Sequence, residues 1–67
     1  MIEVDARGLS CPEPVMMTYD ALKKNKEVKV LVDEAYQKTN VEKLAREKGY
    51  KSSSKNVDNY YEVVITK

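Results

Sequence analysis

The 67-residue chain carries 12 Lys and Arg against 11 Asp and Glu, one cysteine and no histidine. Such a length holds one small hydrophobic core and no second domain, and 42% hydrophobic residues at a net charge of +1 lie outside the composition of disordered chains. A single cysteine excludes an internal disulfide, and the lack of histidine removes Cys/His zinc sites and any imidazole base, so neither a metal nor a bound cofactor is expected.

Ile2-Glu3-Val4-Asp5 alternates apolar with polar, the pattern of a strand with one buried face. Gly8 then marks a turn. Pro12 suits a first helical position, where its missing N–H has no intrahelical partner, which makes Ser10 or Cys11 the N-cap. From Pro12 to about Lys24, Val15, Thr18, Tyr19 and Leu22 recur at three- and four-residue steps, predicting a helix with these residues toward the core. Asn25 and Lys26 close it. Val28, Val30 and Val32 alternate with Lys29 and Leu31 in the next strand, which Asp33 ends.

Thr39 followed by Glu42 fits a capping box, with Asn40 as the alternative cap, and Val41, Leu44, Ala45 and Lys48 follow at helical spacing up to a C-terminal Gly49. Tyr50 to Val57 includes Ser52-Ser53-Ser54 and few apolar residues, predicting a short strand at a sheet edge. Asp58-Asn59 supplies turn residues that tolerate positive φ, and Tyr61, Val63 and Ile65 alternate with Glu62, Val64 and Thr66 in a last strand that closes a hairpin. The order βαβαββ predicts an α/β (α+β) two-layer sandwich, a four-stranded mixed sheet with two helices on one face.

Cys11 is the chemical centre of this pattern. A helix that starts at Pro12 gathers unpaired N–H groups and the positive end of its dipole around the preceding residue, which favours a thiolate and, equally, a persulfide anion. Arg7 lies close enough in sequence to add a permanent positive charge, while Pro12 and Pro14 stiffen the start of the helix. Redox cycling within the chain requires a second cysteine, and hydrolysis requires a better base than Asp5 or Glu13. Transfer of an already activated sulfur requires neither. The bland alternative is an inert cysteine filling a gap, against which stands its position at a loop-to-helix junction.

Asp5, Arg7-Gly8-Leu9, Cys11-Pro12, Pro14-Val15 and Ala21-Leu22 together resemble the signature of the TusA/SirA/YedF family of small sulfur carriers, with Cys-Pro-x-Pro its specific part. Asp33, Asn40-Val41, Ala45 and Gly49-Tyr50 are most similar to the YedF-like, selenium-associated branch. The resemblance implies a βαβαββ fold like the C-terminal domain of translation initiation factor 3. It also implies a persulfide carried on Cys11 as transient cargo, received from a cysteine desulfurase or similar donor and passed to a downstream acceptor protein. Arg7, Gly8, Pro12 and Pro14 are inherited as the frame of the cysteine, and Asp5 as a position. Two departures from the family pattern are Tyr19-Asp20, where relatives often carry basic residues, and Ala35, where many have proline and a sharper start to the second helix.

Sulfur relay, in tRNA thiolation, cofactor synthesis or selenium metabolism, is therefore the expected function. A binding or regulatory module that docks a partner through the Cys-Pro-x-Pro loop is the alternative. Direct nucleic-acid binding is not expected, because Lys23, Lys24, Lys26, Lys51 and Lys55 are scattered in a nearly neutral chain. No apolar run spans a bilayer and Met1-Ile2-Glu3-Val4-Asp5 has no signal-peptide character, so a cytoplasmic protein without a membrane partner is expected. Residues 1–67 read as one carrier domain, either entire or the first domain of a longer protein.

Overall fold

The computed structural model describes residues 2–9 and 13–67. Its elements follow the expected order: β1 (Ile2–Asp5), α1 (Glu13–Lys24), β2 (Glu27–Val32), α2 (Ala35–Glu47), β3 (Lys51–Val57) and β4 (Tyr60–Thr66). The sheet runs β1-β2-β4-β3, with β1 parallel to β2 and β4 antiparallel to both β2 and β3. Parallel pairing of β1 with β2 requires the chain to cross back through α1, and the antiparallel β3–β4 pair needs only a tight turn. Asp58 makes that turn at φ 51°, as its residue type allows.

Val28, Val30 and Val32 share one face of β2 and are buried with Val4, Val63 and Ile65 beneath Leu22, Val41 and Ala45 of the helices. On the open face, Glu62 Oε1 lies 3.9 Å from Lys29 Nζ and 3.8 Å from Lys55 Nζ. Leu31, which alternation assigns to this open face, is only 4% exposed, and its register neighbours are Asp5 and Glu62. A central strand thus buries an apolar residue even on its wetter side.

Four expectations need correction. Tyr19 was expected toward the core but is 39% exposed, with the ammonium groups of Lys23 and Lys48 lying 4.6 and 4.7 Å from its ring centre. Amphipathic spacing leaves the boundary of the apolar stripe open, and stacking under two cations lets an aromatic ring remain at the surface. The capping box at Thr39 is not used, because α2 begins four residues earlier, at Ala35. Glu34 occupies the N-cap in extended conformation without a side-chain cap, and Thr39 Oγ1 bonds back to the Ala35 carbonyl at 3.1 Å, inside the helix. Lys48, expected within the helix, is its C-cap. Finally, β3 is a full seven-residue strand paired along its length with β4, although it does lie at the sheet edge. Its serines are exposed, and Ser54 Oγ donates to Glu42 Oε2 at 2.7 Å, so pairing and polar contacts hold it rather than burial. None of the described helices is long and apolar enough to cross a membrane.

Candidate functional site

The segment leading to Cys11 leaves the C-terminal end of β1, where parallel strands commonly place their functional loops. Ala6, fully buried, prolongs the ladder by donating its N–H to the Leu31 carbonyl at 2.9 Å. Arg7 and Gly8 turn the chain, and Leu9 N–H closes the turn on the Ala6 carbonyl at 3.3 Å. Gly8 has φ 82°, a left-handed conformation that costs a side-chain-bearing residue roughly 1–2 kcal/mol. A β-carbon there would meet no atom within 4 Å, so the demand for glycine is one of backbone conformation.

Two residues distant in sequence then fix this turn. Asp33, just past β2, accepts the Gly8 N–H on Oδ2 at 2.8 Å. Gln37, in the first turn of α2, donates its Nε2 to the Leu9 carbonyl. Gln37 is 2% exposed, and among the described residues its Oε1 meets no donor. A buried acceptor left in that state costs about 1–3 kcal/mol.

Arg7 is committed to Asp5. Its Nε and Nη2 reach Oδ1 and Oδ2 at 2.9 Å each, and its backbone N–H reaches Oδ1 at 3.2 Å. This fork of donors holds the Asp5 carboxyl down from its ordinary 3.8 to about 2, first through the side-chain hydrogen bonds and then through the backbone one. The guanidinium pKa rises in turn, chiefly through the same side-chain bonds. The guanidinium also lies 4.8 Å from the ring centre of Tyr60 at the start of β4. Asp5 therefore balances the charge that Arg7 was expected to lend to a thiolate.

Of the residues read from sequence as the site, the structure brings Asp5, Arg7 and Gly8 into one tied turn and buries Pro14 in the first turn of α1. The Pro14 carbonyl accepts Thr18 Oγ1 at 2.8 Å, which satisfies that fully buried hydroxyl within its own helix. Cys11 and Pro12, with the expected helix start and N-cap, lie outside the described residues. The first described residue of α1 is Glu13. No pattern in the sequence singles out Gln37 or Tyr60 as site residues, and Asp33 stands out only as a strand end and a family position. Gln37 lies 28 residues from the carbonyl it holds, a distance over which spacing carries no signal.

Concavities lined by Asn25, Lys26 and Lys67 lie at the other end of the strands, and no cysteine lines them. Among the described residues there is no group of three or more His, Cys, Asp or Glu able to hold a metal ion. What the described residues present is a backbone tied at Ala6, Gly8 and Leu9, two positions in sequence before the one thiol of the chain.

Comparison with known proteins agrees with that chemistry. The family model described as sulfurtransferase TusA matches residues 2–67. A SirA-like protein from Desulfitobacterium hafniense, known from its crystal structure, superposes with a TM-score of 0.91 at 37% sequence identity, covering 97% of this chain and 95% of that one. Among curated proteins none matches significantly. A family match over nearly the whole sequence, on the βαβαββ fold of a SirA-like relative, establishes that the chain belongs to the TusA sulfurtransferase family.

Proposed function

We propose that the chain works in sulfur relay by carrying a persulfide on Cys11, received from a cysteine desulfurase or another persulfide donor and surrendered to an acceptor protein. The TusA family match over residues 2–67 carries this reading, since it encompasses the Cys-Pro-x-Pro segment and the only thiol in the chain.

The transfer balances without an external oxidant or reductant. The Cys11 thiolate attacks the outer sulfur of the donor persulfide, a new S–S bond forms at Cys11, the donor's own S–S bond breaks, and the donor leaves as a thiolate. An acceptor thiolate repeats the exchange at the outer sulfur now on Cys11. The chain supplies a nucleophile and its placement, and the donor supplies the activated sulfur. No base is consumed, consistent with the absence of histidine.

The cytoplasm is the compartment where such a thiol stays reduced. Within sulfur relay, tRNA thiolation, cofactor synthesis and selenium metabolism are the proposed destinations. The similarity of Asp33, Asn40-Val41, Ala45 and Gly49-Tyr50 to the YedF-like branch favours a selenium-associated role.

Incubation with a cysteine desulfurase and cysteine is expected to add the mass of one sulfur to the protein, and Cys11→Ser is expected to abolish the gain. A parent protein that gains nothing from several desulfurases would instead support a module that docks partners through the same loop.

A further inference from the structure

β1 and β3 are the two edges of the sheet, and they are unlike. β1 has four residues, with Glu3 and Asp5 on the open face, away from the helices. β3 has seven, paired one to one with β4 and free of proline and bulge. Along such an edge, alternate residues turn their N–H and C=O groups away from the sheet, a template for another extended chain. Every residue of β3 is exposed except the half-buried Val57.

The side chains of this edge select what can pair with it. Register places Lys51, Ser53 and Lys55 on the open face, beside Thr66, Val64 and Glu62 of β4. Ser52, Ser54 and Asn56 lie on the helix side, where Ser54 is held by Glu42. On the open face Glu62 lies between two cations, 3.8 Å from Lys55 Nζ and 3.9 Å from Lys29 Nζ, so charge alternates in sign across β2, β4 and β3. The alternation stops at Lys55, whose side chain is 70% exposed. Lys51 makes no ion pair among the described residues. The β3 edge is therefore positive, whereas the β1 edge is negative.

Lysines on an edge strand guard against unwanted pairing, and here the guard is selective. A second copy of β3 brings its own Lys51 and Lys55 to the shared face, and like charges on paired strands repel. A strand with carboxylates opposite Lys51 and Lys55 continues the alternation instead. Residues on one face recur at every second position, so those carboxylates are four residues apart whether the added strand runs parallel or antiparallel. We propose that β3 is a docking edge for an extended acidic segment of a partner protein, which adds a fifth strand and sets two carboxylates, four residues apart, against Lys51 and Lys55. The inference is independent of sulfur carriage, because no residue of the Gly8 turn takes part.

The probe is a blocked heptapeptide, Thr-Glu-Thr-Val-Thr-Glu-Thr, titrated into the isotope-labelled protein and followed by its backbone amide shifts. One control carries lysine in place of both glutamates, and another keeps the glutamates but is methylated on every backbone nitrogen. Saturable shifts are expected within residues 51–57 and their partners on β4. The lysine peptide should bind about five- to thirtyfold more weakly, and the methylated peptide should not bind. Lys51→Glu, which breaks no ion pair, should narrow the preference for glutamate. The double variant Lys51→Glu, Lys55→Glu should reverse it. Thermal melting checks that each variant is folded, and Lys51→Glu decides the matter if the double variant is not.

Shifts centred on residues 2–5, or on the concavities lined by Lys23, Lys24, Lys26 and Lys48, would overturn the proposal. Equal binding of the methylated peptide would also overturn it, by reducing the contact to charge alone. Concentration-dependent shifts in β3 without peptide would make a second copy the occupant. The absence of any saturable shift at millimolar peptide would leave β3 a closed edge.

Discussion

Two glycine turns in this protein share a backbone conformation and differ in what holds them. Gly8 and Gly49 both have φ 82°, and at neither would a β-carbon meet an atom within 4 Å. The Gly49 turn is built locally, with its own N–H on the Arg46 carbonyl at 3.1 Å and the Tyr50 N–H on the Ala45 carbonyl at 2.9 Å, a Schellman ending to α2. The Gly8 turn has a local bond too, Leu9 N–H on the Ala6 carbonyl at 3.3 Å, but it is tied in addition by side chains 25 and 28 residues away, the Asp33 carboxylate and the Gln37 amide. A helix end needs only to stop. The turn that precedes the proposed sulfur-carrying cysteine is fixed in addition to distant parts of the fold, which local bonds alone do not do.

The comparison can be broken by substitution at each turn. Gly8→Ala and Gly49→Ala should each cost about 1–2 kcal/mol in denaturant unfolding, because the strain is the same. Only Gly8→Ala should also slow sulfur loading and alkylation at Cys11. Equal loss of Cys11 reactivity in both variants would mean that general destabilisation, not the loop, controls the thiol. Asp33→Ala sharpens the point with a smaller effect, leaving the Gly8 N–H without its acceptor at a cost of about 1 kcal/mol. It should slow Cys11 alkylation as Gly8→Ala does, whereas Thr39→Ala, which removes a side-chain bond within α2, should not.

The smallest effect concerns acid. Asp5 binds its proton more weakly in the folded protein than in the unfolded chain, so its contribution to stability is complete above 3.8 and is lost as the pH falls toward about 2. Asp5→Asn should therefore be less stable than the parent near neutrality, and the gap should close through that acid window. Since the Asp5–Arg7 pair is solvent-exposed, the gap should be slight and should shrink further in high salt. A gap that stays constant down to pH 2 would assign the effect of Asp5→Asn to something other than charge.

The same contrast between local and distant explains which features could be read in the sequence. The alternating valines of β2, the run Tyr61-Val63-Ile65 and the turn residues Asp58 and Gly49 act through neighbours in the chain, and the structure places them as expected. Tyr19 and the Thr39 box misled because each satisfies a local pattern that tertiary contacts override. Lys48 can reach Tyr19 only after α2 folds beside α1, and α2 starts early where Gln37 can become buried under the Leu9 carbonyl. At the site, Cys11, Gly8 and the prolines stood out by residue type. Asp33 and Gln37 are ordinary residues in sequence, given their tasks by the turn they hold.

Single-turnover transfer of labelled sulfur tests the central claim most directly. The protein is loaded from labelled cysteine by a desulfurase, separated, and exposed to an acceptor thiol. The account predicts one reductant-labile label per chain on Cys11, none on Cys11→Ser, and its departure to the acceptor in a single phase. A parent protein that takes no reductant-labile label, or holds it equally well after Cys11→Ser, would contradict sulfur carriage at Cys11.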